Sequence, residues 1–178
     1  MSAYVDALKN GNDNSWLFRR NEEKALKLYA EKRKLTISRC GLVINTTLPI
    51  FSFSPDGIIV SSSAPDRLLE VKCPTSGQDL SCQVLLKSLD YIREDSNGKP
   101  FLKEAHAFYG QIQFSLYLGE MQDADLIIYC ERDNDIIIPV TLDPHYASKM
   151  LFTLRNTYFT QILPYLFVSR DRLRKQIM

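Results

Sequence analysis

The sequence predicts an α/β fold in which helices flank a central mixed β-sheet. Helix-forming stretches and short apolar runs typical of strands follow one another in the order helix, three strands, helix, two strands, helix. Hydrophobic residues make up 45% of the 178 residues, which is enough for a sizeable core in one domain. We therefore expect a single domain over residues 1–178, with a loose N-terminal arm at 1–15 and a basic C-terminal tail at 169–178.

The charge, the apolar runs and the cysteine spacing limit which classes of protein this sequence can belong to. The net charge of +1 gives no overall basic signature, but acidic metal ligands can offset a basic face, so near-neutrality is compatible with DNA binding. The apolar runs are too short to span a membrane and the first residues are too polar for a signal peptide. We therefore expect a soluble intracellular protein, in cytoplasm or nucleus, with no membrane partner. The four cysteines are far apart and contain no CxxC pair, which favours reduced thiols over a zinc site or a disulfide framework.

The first predicted helix covers about Trp16 to Leu35, where helix-forming residues dominate. Glu22 lies on this helix and has two interpretations. It is either a solvated residue that forms ion pairs with residues four positions away, or a member of a functional site. Arg19 and Arg20 precede it by less than one turn, so they are either solvated charges or phosphate contacts.

Two short runs, residues 51–60 and 67–72, are predicted to be strands that each deliver a carboxylate to one place. Residues two apart in a strand point to the same face, so Glu70 and Lys72 project together while their neighbours face a core. Asp56 arrives from the neighbouring strand. An acidic pair with a lysine on one sheet face suits a divalent metal ion and a phosphate oxyanion. A further strand is predicted at residues 36–45, as the hairpin partner of 50–60.

The remaining elements are a hairpin, a helix, a second hairpin and a C-terminal helix, predicted at residues 90–103, 104–119, 124–140 and 143–167. Gln111 is expected on the apolar face of the helix at 104–119, together with Ala107, Gly110, Phe114 and Leu118. A buried amide there must find hydrogen-bond partners, either from a functional site or from the backbone. The C-terminal helix is expected to begin with an N-cap aspartate followed by a proline.

Taken together, these motifs resemble the PD-(D/E)xK nuclease superfamily. The segments Ser54-Pro55-Asp56-Gly57 and Glu70-Val71-Lys72-Cys73-Pro74 match its paired-carboxylate pattern with flanking residues. The segment Tyr109-Gly110-Gln111-Ile112-Gln113 is similar to a Tyr-x-Gln-x-Gln helix motif, and Glu22 with Ala25 and Tyr29 is similar to an upstream helix. As a set, over about residues 22–129, they resemble the YqaJ-type viral recombinase or phage lambda exonuclease-like family.

The resemblance implies a restriction-endonuclease-like core and a Mg²⁺-dependent deoxyribonuclease, in which Mn²⁺ substitutes for Mg²⁺. It favours an exonuclease that acts on double-stranded DNA ends in recombination or repair. The catalytic residues implied are Asp56, Glu70, Lys72 and Gln111. The metal ligands implied are Glu22, Asp56, Glu70 and the carbonyl of Val71. The nucleic-acid contacts implied are Arg19, Arg20, Ser54 and Gln113.

Several alternatives stay open. An endonuclease or nickase of the same fold shares the metal site, and a non-catalytic DNA-binding protein would keep the fold. An iron–sulfur exonuclease needs a cysteine grouping that this sequence lacks, so no cluster is expected. The chain departs from the family in having no end-recognition segment before Trp16. A homo-oligomer and a single-strand annealing or recombination partner are compatible with the resemblance.

Overall fold

The computed structural model describes residues 15–60, 64–132 and 135–168, with side chains from residue 20 onward. The expected N-terminal arm, apart from Ser15, and the expected tail at 169–178 lie outside these residues. So do positions 61–63 and 133–134. The chain divides into two compact units between Leu142 and Asp143. One nuclease domain over the whole chain stays a prediction.

The first unit alternates helices with short strands, as predicted. In chain order its elements are α1 (Ser15–Arg33), β1 (Ile37–Ser38), β2 (Val43–Ile44), β3 (Ser52–Phe53), β4 (Gly57–Ile59), β5 (Arg67–Lys72), a 3₁₀ helix (Thr75–Gln78), α2 (Cys82–Ser88), β6 (Ile92–Glu94), β7 (Pro100–Leu102), α3 (Ala107–Leu118), β8 (Asp123–Ile128) and β9 (Ile136–Thr141). The strands predicted at 36–45 and at 51–60 are each two strands, because β1 pairs with β4 in the main sheet while β2 pairs with β3 in a separate hairpin.

The main sheet has the strand order β1-β4-β5-β8-β9. Its central pair, β5 and β8, is parallel, and its other neighbours are antiparallel. The sheet is therefore mixed, as the sequence predicts. Strands covered on both faces carry nearly continuous apolar runs, which explains why Leu68 and Leu69 on β5, and Leu126 and Ile127 on β8, are all fully buried.

The two faces of β5 look toward different helices. Leu69 and Val71 pack in one core cluster with Ala25, Leu26 and Tyr29 of α1. The opposite face, which carries Glu70, looks toward α3, because a side-chain hydrogen bond joins Glu70 to that helix. The alternation predicted for β5 is therefore present. It places apolar side chains on the face that packs against α1 and charged side chains on the opposite face.

The buried face of α3 differs from the prediction. Its buried side chains include Tyr109, Ile112, Gln113 and Leu116, together with Leu118. Gln111 and Ala107, which were expected on this face, are exposed. Leu118 is buried as predicted, but the rest of the predicted face was misplaced, because Gln113 is polar in sequence and yet fully buried in the structure.

The second unit contains α4 (Pro144–Thr157), which continues into a π-helical turn (Tyr158–Ile162). Asp143 caps α4, since its Oδ1 accepts a hydrogen bond from the backbone N–H of Tyr146 at 2.9 Å, and Pro144 opens the helix. Both features were predicted. No helix in the described part of the chain combines the length and the apolar character that crossing a membrane requires.

Candidate active site

Two carboxylates meet where β4 and β5 stop pairing. The register joins Gly57 to Leu69, so extending it by one residue places Asp56 opposite Glu70. Residues directly opposite in an antiparallel pair share a face of the sheet. Asp56 Oδ2 accepts a hydrogen bond from the backbone N–H of Val71 at 2.6 Å. The carboxylate thus accepts the hydrogen bond that a backbone carbonyl would accept if the pairing of β4 with β5 continued.

Glu70 is the centre of the site and is 3% exposed. Its Oε1 accepts a hydrogen bond from Lys72 Nζ at 2.6 Å and another from Gln111 Nε2 at 2.6 Å. Lys72 Nζ also lies 3.4 Å from Gln111 Oε1. The structure therefore brings together four residues that the sequence assigned to catalysis, and we call Asp56, Glu70, Lys72 and Gln111 the Glu70 cluster. Gln111 joins it from an exposed position on α3, with Glu70 as the partner of its amide.

Phe108 is a member of the site that sequence reasoning missed. Lys72 Nζ lies 4.3 Å from the centroid of its ring, which is cation–π geometry. The ring packs edge-on against Tyr91 and His106, with centroids 5.0 Å and 4.6 Å away. His106 also caps α3 by accepting a hydrogen bond from the Phe108 N–H at 3.2 Å. The signal in the sequence was the position of Phe108 three residues before Gln111, on the same side of the helix.

Glu22 lies beside the Glu70 cluster but pairs with an arginine. Its Oε1 is 2.9 Å from Arg39 Nη2, and Arg39 Nη1 is 3.8 Å from Glu23 Oε1. Glu22 lines a pocket of about 380 Å³ together with Lys72, Tyr91 and Phe108. Arg39 was not predicted. No local signal marked it, because residues 36–45 read as one continuous strand.

The acidic residues of the site have raised pKa values, and the charge of Asp56 contributes to this for both Glu70 and Glu22. Burial raises the pKa of Glu70 to about 7, with Lys72 lowering it and Asp56 raising it. Burial also raises the pKa of Asp56, against the Val71 N–H, Lys72 and Arg39, which lower it. For Glu22, burial and then Asp56 raise the pKa, while Arg39 lowers it. Like charges held together at low dielectric favour a bound cation.

The donor atoms of this face suit a hard cation, although not in the arrangement expected for Glu22. Within the described ranges, no group of three or more His, Cys, Asp or Glu side chains is placed to hold a metal ion. The hydrogen bonds that described residues donate to the pair reach Asp56 Oδ2 and Glu70 Oε1. These bonds do not involve Asp56 Oδ1 or Glu70 Oε2. The Val71 carbonyl points to the same side of β5 as its N–H, toward Asp56. Oxygen donors of this kind fit Mg²⁺.

The residues expected at the nucleic acid are placed differently from one another. Ser54 and Arg20 are exposed, and the side chain of Arg19 lies outside the described residues. Gln113 is fully buried, and its Nε2 donates to the Thr141 carbonyl of β9 at 2.9 Å. The structure thus contradicts the predicted contact of Gln113 with DNA. The reason is helical geometry, because a residue two positions after Gln111 faces nearly the opposite way.

The comparisons with known proteins concern the fold. No protein-family model matches the chain, and no curated protein matches it. Two solved structures are similar. One is LHK-Exo in complex with dAMP, at 18% identity and a TM-score of 0.61, covering 91% of this chain and 72% of that one. The other is the alkaline exonuclease LHK-Exo from Laribacter hongkongensis, at 18% identity and a TM-score of 0.58, covering 92% and 73%. The chain therefore has the fold of these exonucleases, which confirms the predicted nuclease-like fold with a central mixed sheet flanked by helices.

Proposed function

We propose that this chain is a divalent-metal-dependent deoxyribonuclease. The observation that carries the proposal is the Glu70 cluster, in which a buried carboxylate receives hydrogen bonds from both a lysine and a glutamine and faces a second carboxylate. The structural likeness to LHK-Exo, whose name describes an exonuclease, supports the same class of reaction at the level of the fold.

Hydrolysis of a phosphodiester needs an activated water, stabilisation of charge on the phosphoryl oxygens and help for the leaving oxygen. Asp56, Glu70 and the Val71 carbonyl are the residues that would hold Mg²⁺, with Mn²⁺ as a substitute. A bound Mg²⁺ supplies electrostatic stabilisation of the phosphoryl oxygens and lowers the pKa of a bound water. Glu22 would join this set as a further ligand if Arg39 released it.

Lys72 is proposed to orient the attacking water and to neutralise charge that develops on the phosphate. Its ammonium donates to Glu70 Oε1, which aims Nζ at the side of the site where the metal ligands lie. Gln111 accepts from Lys72 through Oε1 and donates to Glu70 through Nε2. It therefore holds the lysine and the carboxylate in one geometry, which is what a positioning residue must do.

An exonuclease acting on double-stranded DNA ends is the finer function that we favour, since both similar structures are described as exonucleases. An endonuclease or nickase would use the same metal ligands. A DNA-binding protein without turnover is disfavoured, because Glu70 is buried beside another carboxylate, an arrangement that costs stability unless a cation offsets it. A role in recombination or repair, with an annealing partner or as a homo-oligomer, is part of the proposal through the family resemblance.

The test is digestion of a linear duplex and of the same DNA as a closed circle. Each is incubated with Mg²⁺, with Mn²⁺ or with EDTA, and the products are separated on a gel. We expect the linear duplex to be degraded with either metal ion and the closed circle to persist. Cleavage of the closed circle would replace the exonuclease with an endonuclease. Failure to cut either DNA with either metal ion would overturn the nuclease proposal.

A further inference from the structure

We infer that Arg39 binds a phosphate of the DNA backbone next to the Glu70 cluster, and that Glu22 holds this arginine in place when no DNA is bound. The inference rests on the proposed nuclease function and names a substrate-binding residue of the same site. It assigns the phosphate contact to Arg39 and not to Arg19 or Arg20, which the sequence suggested.

The position of Arg39 follows from the sheet. β1 pairs with β4 in a register that joins Ser38 to Ile58, so Arg39 comes opposite Gly57 and next to Asp56. Its guanidinium turns toward α1, with Nη2 2.9 Å from Glu22 Oε1 and Nη1 3.8 Å from Glu23 Oε1. Glu22, which the guanidinium contacts, lines the same pocket as Lys72, so Arg39 lies at the edge of the Glu70 cluster.

The two cations next to the carboxylates differ in what they can reach. Lys72 is 19% exposed, and its ammonium is already held by Glu70, Gln111 and the ring of Phe108. Arg39 is 52% exposed and its described partners are the two glutamates of α1. A phosphate arriving from solvent can therefore meet Arg39 without taking the Glu70 cluster apart.

The exchange of partners is physically easy. Arg39 is the more exposed partner of the ion pair, at 52% against 27% for Glu22, and water and salt screen the pair on that side, so its contribution to stability is modest. A phosphate offers the planar guanidinium two oxygens at once, which is the geometry that arginine binds best. The same exchange frees the carboxylate of Glu22 beside Asp56, for the metal-binding role that the sequence predicts. DNA binding and completion of the acidic set would then be coupled.

The experiment measures binding of a fluorescently labelled duplex by anisotropy in EDTA, over a salt series from about 50 to about 200 mM. We expect Arg39→Ala to weaken binding about five- to tenfold and to lower the slope of log affinity against log salt by about 0.9, the value for one lost phosphate contact. The affinity of Arg39→Lys for the duplex should lie between those of the wild type and Arg39→Ala. The matched control is Lys27→Ala, which removes another exposed cation that pairs with a glutamate of α1, Glu31, at 3.9 Å. It should stay within about twofold of the wild type, as expected for an exposed pair.

A double variant separates phosphate binding from simple neutralisation of Glu22. If Arg39 binds phosphate, Glu22→Gln should bind DNA at least as tightly as the wild type, and Glu22→Gln with Arg39→Ala should stay as weak as Arg39→Ala alone. Return of the double variant to wild-type affinity would show that Arg39 only offsets Glu22 and would overturn the inference. Failure of the wild-type protein to bind the duplex in EDTA would also overturn the inference. The nuclease proposal fails on a different result, the absence of metal-dependent cleavage.

Discussion

At the scale of single residues, the unusual member of the site is Glu70, a carboxylate with almost no access to water. Its hydrogen bonds to Lys72 and Gln111 only partly offset the cost of burying a charge, and burial therefore raises its pKa to about 7. In the unfolded chain a glutamate titrates near 4.5. Between these two values the folded protein holds a proton that the unfolded chain has lost.

This difference predicts how stability depends on pH in the metal-free protein. Because the folded pKa is raised, the contribution of Glu70 is fully present below about pH 4.5 and is lost as the pH rises through about 7. Each unit of difference in pKa is worth about 1.4 kcal/mol. Urea unfolding in EDTA at about pH 5 and about pH 8 should show a larger loss for the wild type than for Glu70→Gln, which cannot titrate. Equal losses in both proteins would contradict the account.

Phe108 gives a second prediction at this scale. Phe108→Leu keeps an apolar side chain but removes the ring face beneath the Lys72 ammonium, a contact worth about 0.5–2 kcal/mol. The cleavage rate should therefore fall roughly two- to thirtyfold, since about 1.4 kcal/mol is a factor of ten. Phe108→Trp should retain most of the rate. Phe101→Leu, a substitution of an exposed phenylalanine on β7, is the matched control. Undiminished cleavage by Phe108→Leu would show that the ring does not position the lysine.

At the scale of elements, the site depends on a close approach between β1 and β4. A Cβ added to Gly57 would lie 2.6 Å from Cγ2 of Ile37. Gly57→Ala should therefore destabilise the protein by about 1–3 kcal/mol, the usual cost of overpacking, and should disturb Asp56 beside it. Gly41→Ala is the control, because nothing lies within 4 Å of the Cβ it would add. Thermal or urea unfolding of the two variants measures the difference, and equal stability would contradict the packing described here.

The elements also show how far the sequence could predict the structure. β5 has the predicted bounds of 67–72, because its alternation of core and charged residues is local information. The buried face of α3 could not be predicted in the same way. Gln113 is buried because it donates to the carbonyl of Thr141, a partner 28 positions away that only the folded sheet brings near.

The residues of the candidate site also differ in whether local sequence could predict them. The residues of the Glu70 cluster lie within recognisable motifs, so they could be named from the sequence. Arg39 could not, because residues 36–45 read as one continuous strand and nothing local shows that β1 ends at Ser38. Its pairing with Glu22, 17 positions earlier on α1, depends on how helix and sheet pack.

At the scale of the whole molecule, the net charge of +1 is the balance of 22 basic and 21 acidic residues. The overall charge therefore carries little information about DNA binding, and the local arrangement carries more. Four acidic side chains, Glu22, Glu23, Asp56 and Glu70, lie at or beside the site, against the cations Arg39 and Lys72. A divalent cation at the carboxylate pair would bring this local charge close to balance before a phosphate approaches.

The central claim is that Glu70 belongs to a metal site and that Lys72 acts in catalysis without holding the metal. One measurement tests it most directly, namely thermal unfolding with and without Mg²⁺, alongside cleavage of a linear duplex, for the wild type, Glu70→Ala and Lys72→Ala. Both variants should fold and lose at least about a hundredfold in cleavage. Lys72→Ala should keep the stabilisation by Mg²⁺ that a ligand bound to the folded state gives, and Glu70→Ala should lose it. Full cleavage by either variant, or equal stabilisation of Glu70→Ala and the wild type by Mg²⁺, would contradict the account.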